Sequence, residues 1–119
     1  MKILFINPSR AGQGNIPVNL PILISIALSK KCDVKLFDFT DYDCFNDKSY
    51  EKSFFKEAQI PSNVSLLTTD YKEDFHKLIH SFQPDLVAVS CMTVDIDFIC
   101  DFISPYKNLL MAMFVDYKF

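Results

Sequence analysis

Apolar residues come in short blocks separated by polar or proline-marked breaks, and the spacing within the blocks changes along the chain. Ile3 to Ile6 is an unbroken apolar run closed by Asn7-Pro8, the pattern of a central parallel strand covered on both faces. Asn19 can cap a helix running through Lys31, with Pro21 in the first turn, where a missing N–H costs little. Leu20, Leu23, Ile24, Ala27 and Leu28 then share one face. Asp33 to Phe39 alternates and ends in the acidic turn Thr40 to Asp43, which reads as a second strand; the intervening helix argues against a hairpin.

The next segment predicts a helix over Asp47 to Gln59, then a polar connector, Pro61 to Thr69, with a small apolar patch at Val64 to Leu67. Asp70 followed by Glu73 has capping-box spacing, and Tyr71, Phe75, Leu78, Ile79 and Phe82 repeat at helical intervals up to Pro84. Leu86 to Val89 is a buried-strand run. Thr93 can cap the next helix, built on Val94, Ile96, Phe98, Ile99, Phe102 and Ile103 and ended by Pro105, and Leu109 to Val115 supplies a fourth strand.

Strands alternating with helices, with no repeated segment, predict a single α/β domain over residues 1–119. The fold expected is a doubly wound, flavodoxin-like or Rossmann-like parallel sheet of about four strands with right-handed crossovers. Doubly wound domains commonly carry a fifth strand and a covering helix. The expectation is therefore a sheet cut short before its fifth strand, a partner over the last strand, or a homodimer through it.

Composition narrows the function classes. Half of the 119 residues are hydrophobic, with 12 Phe among them, so a real core can form. A formal net charge of −3 is the wrong balance for a nucleic-acid binder. Cys32, Cys44, Cys91 and Cys100 form no CxxC pair and no finger spacing with the two histidines, which suits reduced thiols in a cytoplasmic protein. The apolar stretch Leu20 to Leu28 is too short to span a bilayer, and no secretion signal opens the chain.

In open α/β sheets ligands bind beyond the carboxyl ends of the strands. Both glycines of the chain, Gly12 and Gly14, lie in the loop after the first strand, beside Ser9, Arg10 and Gln13. Glycine allows close approach of a ligand to the backbone, and equally serves a long flexible loop. Pro17 stands where a dinucleotide fingerprint needs its third glycine, and no Gly-Lys-Ser/Thr forms a phosphate loop. Asp38 can accept hydrogen bonds from a ligand hydroxyl or cap a turn. Asn7-Pro8 and Ser90-Cys91 replace the acidic residues a phospho-acceptor receiver needs. His76 and His80 read as solvated helix residues with no third ligand, and Asp95, Asp97 and Asp101 as a solvated face. Cys91 lies beside a helix start without a base, so packing or ligand lining is favoured over nucleophilic catalysis.

The run Lys2 to Pro8, the glycine-bearing loop, Asn19-Leu20-Pro21 and Ile24 to Leu28 together resemble the cobalamin-binding domain ahead of the catalytic barrel in many radical SAM proteins. Val34 to Asp38, and Gln83 to Val89 with the turn Ser90-Cys91-Met92-Thr93, are similar to its second and third strands. Ser90-x-Met92-Thr93 resembles the Ser-x-Leu segment lining the cofactor's nucleotide tail. The resemblance implies a binding module, functional or vestigial, that positions a corrinoid for a catalytic domain elsewhere. Ser9, Arg10, Gly12 and Gln13 would then approach the ring and Ser90 and Met92 the tail, with Gly14, Asp38, Cys91 and Thr93 completing the expected cofactor-binding set. Three departures accompany it: no Asp-x-His-x-x-Gly loop supplies a lower cobalt ligand, the later glycine pair is missing, and so is the CxxxCxxC iron–sulfur motif. The alternative is a cofactor-free, flavodoxin-like interaction domain docking a partner or second copy through its last strand.

Overall fold

The computed structural model describes residues 1–8, 19–42, 67–92, 95–106 and 108–116. Its elements run β1 (Lys2–Asn7), α1 (Asn19–Ser29), β2 (Asp33–Asp38), a 3-10 turn (Phe39–Asp41), α2 (Tyr71–Phe82), β3 (Leu86–Met92), α3 (Ile96–Ile103), a second 3-10 turn (Ser104–Tyr106) and β4 (Met111–Asp116). The strands form one sheet in the order β2-β1-β3-β4, every neighbouring pair parallel. This is the order of the first four strands of a flavodoxin-like sheet, whose switch point lies between β1 and β3.

Side-chain alternation sorts the core into two layers. Leu4 and Ile6 of β1, Phe37 of β2, and Val87, Val89 and Cys91 of β3 pack against Phe75 and Phe82 of α2 and Phe98, Ile99, Phe102 and Ile103 of α3. Ile3, Phe5 and Ala88 point the other way, onto Leu20 and Ala27 of α1. Thus α1 covers one face of the sheet, and α2 with α3 the other.

The larger layer is held by aromatic rings. Phe37 meets Phe39 at 5.3 Å and Phe75 at 5.1 Å, both edge-on, and Phe75 lies 4.7 Å from Phe102. These edge-to-face contacts add to the area each ring buries.

Helix ends follow from local chemistry. Asp70 caps α2, its Oδ1 accepting from the Lys72 N–H at 2.9 Å; Glu73 pairs with Lys77 at 3.4 Å on the exposed face. At its other end Gln83 closes α2 in the left-handed region, φ 51°. Lys31, at φ 60°, closes α1 likewise: its N–H donates to Leu28 O and the Cys32 N–H to Ala27 O, a Schellman arrangement usually built on glycine.

Several sequence expectations shift. β3 runs on to Met92, so Ser90, Cys91 and Met92 belong to the strand, paired with Phe114, Val115 and Asp116, and are not a turn after it. Asp95, not Thr93, stands at the N-cap of α3, because the ladder carries the chain further before it bends. α1 ends at Ser29, and Leu28 is exposed. Asp95 is completely buried, whereas Asp97 and Asp101 are exposed. The expected helix over Asp47 to Gln59 lies outside the described residues, but Tyr42 and Leu67 flank that stretch and are joined by a parallel bridge.

Candidate functional site at the carboxyl edge of the sheet

β1 and β2 end side by side in Asn7 and Asp38, and β3 carries Ser90 alongside them two residues before its own end, all three on the α1 side. Asn7 and Asp38 are register partners at the last rung of the β1–β2 ladder. Ser90 follows Val89, which pairs with Ile6 at the last rung of the β1–β3 ladder. Because Ile6, Phe37 and Val89 all face the α2–α3 layer, alternation turns the next residue of each strand toward α1. The result is a polar row, Asp38, Asn7, Ser90, across the switch point. Asn7 and Ser90 are both buried, so the row is an inward feature of the edge.

Asp38 organises one end of the row. Its Oδ1 accepts from Asn7 Nδ2 at 3.0 Å, from the Thr40 N–H at 3.0 Å and from Thr40 Oγ1 at 2.7 Å. These bonds cap the 3-10 turn and fix the Asn7 amide, so capping and site-building come from the same carboxylate. Burial, and then the charge of Asp38, push the Asp41 carboxyl above its ordinary value.

Below Ser90 on the same face lies a groove of about 260 Å³, entirely apolar along its exposed walls, with Ile3, Phe5, Ala27, Leu86, Ala88 and Ala112 around it and Lys30 at its rim. Alanine at positions 27, 88 and 112 leaves the space that larger side chains would fill. The helix beside it, α1, has no charged residue from Asn19 to Ser29, and Ile22, Ile26 and Leu28 are each more than half exposed. No helix among the described residues is long and apolar enough to cross a membrane.

Of the residues singled out in the sequence, the structure brings Asp38 and Ser90 onto one edge and adds Asn7 between them. Cys91 is on the opposite face, buried in the aromatic layer, so its thiol faces neither the row nor solvent. Only the backbone of Met92 is described, and Ser9, Arg10, Gly12, Gln13, Gly14 and Thr93 lie outside the described residues. Sequence reasoning passed over Asn7 as a site residue and read Asp95 as solvated. The signal for Asn7 was its place at the end of the first strand, one residue before the chain leaves the sheet.

The row combines a half-buried carboxylate with a buried amide and hydroxyl, and the same face carries an apolar groove, so hydrogen-bonding and apolar features lie on one side of the sheet. This suits an amphiphilic ligand. No protein-family model, no curated protein and no solved structure matches the chain.

Proposed function

We propose that this chain is a cobalamin-binding-type module, functional or vestigial, which positions a corrinoid for a radical SAM catalytic domain outside these residues. The observation that carries the reading is the polar row Asp38, Asn7, Ser90 at the switch point of a parallel sheet, with an apolar groove further down the same face, toward the amino ends of β1 and β3. A corrinoid matches both halves. Its ring periphery carries amides that exchange hydrogen bonds with hydroxyl and amide side chains, and its nucleotide tail carries a flat base of the kind an apolar groove takes. Both glycines of the chain fall in the loop joining β1 to α1, where close approach of a large ring is needed.

The residues present fit binding without a protein ligand to cobalt. The run Asn7 to Gly14 holds no histidine, and both histidines of the chain belong to α2, on the sheet face opposite α1. The organometallic chemistry is the cofactor's, and this chain's residues hold and orient it. Adding hydroxocobalamin to the purified protein and desalting tests the reading: it predicts a shifted visible spectrum and retained cofactor. Neither a shift nor retained colour would remove it.

The exposed apolar side of α1 favours a second reading, a cofactor-free docking module whose partner or second copy covers Ile22 and Ile26. Light scattering separates the case of self-association, which requires a mass that rises with concentration.

A further inference from the structure

His76 and His80 sit one turn apart on the exposed face of α2, and their Nε2 atoms approach to 3.0 Å. The ring centroids are only 4.4 Å apart, with planes crossed at 76°. That is shorter than two rings placed end to end would give, so the ring axes bend off the line joining the two nitrogens. On its far side His76 Nδ1 lies 3.3 Å from the Tyr106 hydroxyl, in the 3-10 turn after α3.

We propose that His76 and His80 form a two-imidazole site for a late first-row divalent cation, Ni²⁺ or Cu²⁺, on the outer face of α2. Imidazole nitrogen suits these ions, and affinity rises toward copper. With metal–nitrogen bonds of about 2.0–2.1 Å, a separation of 3.0 Å corresponds to an N–metal–N angle of about 95°. That is close to the right angle between neighbouring ligands in square-planar or octahedral coordination, whereas a tetrahedral ion needs the nitrogens to spread to about 3.3 Å.

Binding through Nε2 requires each imidazole to carry its proton on Nδ1. For His76, Nδ1–H then donates to the Tyr106 oxygen, the kind of outer hydrogen bond that fixes tautomer and ring direction in metal-binding histidines. Among the described residues no third histidine, cysteine or carboxylate joins the pair, which therefore supplies two ligands. Glu73, one turn before His76, offsets the positive charge of Lys77, with which it pairs at 3.4 Å.

The test is a titration of the isotope-labelled protein with NiCl₂ at substoichiometric ratios, followed by amide NMR. The expected result is paramagnetic broadening confined first to residues around 76, 80 and 106, and its loss in the double variant His76→Asn, His80→Asn. Both side chains are exposed, so this variant keeps the fold, as far-UV circular dichroism will register. Tyr106→Phe should weaken binding about tenfold. Broadening centred elsewhere, an equal response in the double variant, or no response at millimolar Ni²⁺ overturns the proposal.

Discussion

Asn7 and Asp38 end two neighbouring strands and are joined side chain to side chain, Asn7 Nδ2 donating to Asp38 Oδ1 at 3.0 Å, with Asn7 buried. The same oxygen takes both donors of Thr40. Asp38→Ala therefore leaves a buried amide and a turn N–H without their acceptor, and should cost about 2 kcal/mol. A double-mutant cycle between Asn7→Ala and Asp38→Ala, read by urea denaturation, should give a coupling of about 1 kcal/mol; strictly additive effects would mean that the bond contributes nothing.

Both left-handed helix ends carry side chains that pay a steric penalty. Lys31 at φ 60° and Gln83 at φ 51° sit where glycine is at ease, yet the two glycines of the chain are elsewhere. Lys31→Gly and Gln83→Gly should each raise stability by about 0.5–1 kcal/mol, after allowance for the extra freedom glycine gives the unfolded chain. They close different helices, so the double variant should show the sum in its thermal midpoint.

Phe75 is fully buried between Phe37, Phe102 and Tyr106. Phe75→Ala should cost about 3–5 kcal/mol through lost burial and the cavity left behind, and Phe75→Leu less than half of that. The same truncation at exposed Leu28 should change the urea midpoint little, which separates the two sides of the molecule.

The Asp41 carboxyl titrates above its ordinary value because burial disfavours its charge and Asp38 repels it. A folded value raised above the unfolded one means the native state holds the proton more tightly. The associated stability is present below the ordinary aspartate range and is lost as pH rises through the raised value. Asp41→Asn should thus be slightly more stable than the parent at neutral pH, with the gap closing in acid. The side chain is largely exposed, so solvent keeps the effect small. Urea midpoints for the two proteins between pH 3 and pH 7 provide the check.

The alternating strands and helices were legible because each element has its own apolar period. Tyr71, Phe75, Leu78, Ile79 and Phe82 all reach the core as their spacing requires. Legibility fails where the deciding contact is distant or the pattern has no polar side. In α1, with no charged residue, nothing in the sequence separates buried Ala27 from exposed Leu28. Asp95 has the same side chain as exposed Asp97 and differs only in standing where the chain turns from β3 into α3. β3 continues through Ser90 because β4 offers it backbone partners, a property of the neighbouring strand. At the site, Asp38 was visible as a strand-end polar residue and Ser90 as the first polar residue after the apolar run of β3, but the role of Asn7 depends on a partner 31 positions away.

The central claim, that a corrinoid seats on the row Asp38, Asn7, Ser90 with its tail in the groove beside α1, is tested most directly by hydroxocobalamin titration of the parent and of Ala112→Phe. Ala112 lies on the groove wall in the edge strand β4, so a larger ring there fills the groove while leaving the aromatic layer untouched. The prediction is a spectral shift saturating at one corrinoid per chain in the parent, retained on desalting, and at least tenfold weaker binding in Ala112→Phe. Absence of binding in the parent, or equal binding in both proteins, would contradict it.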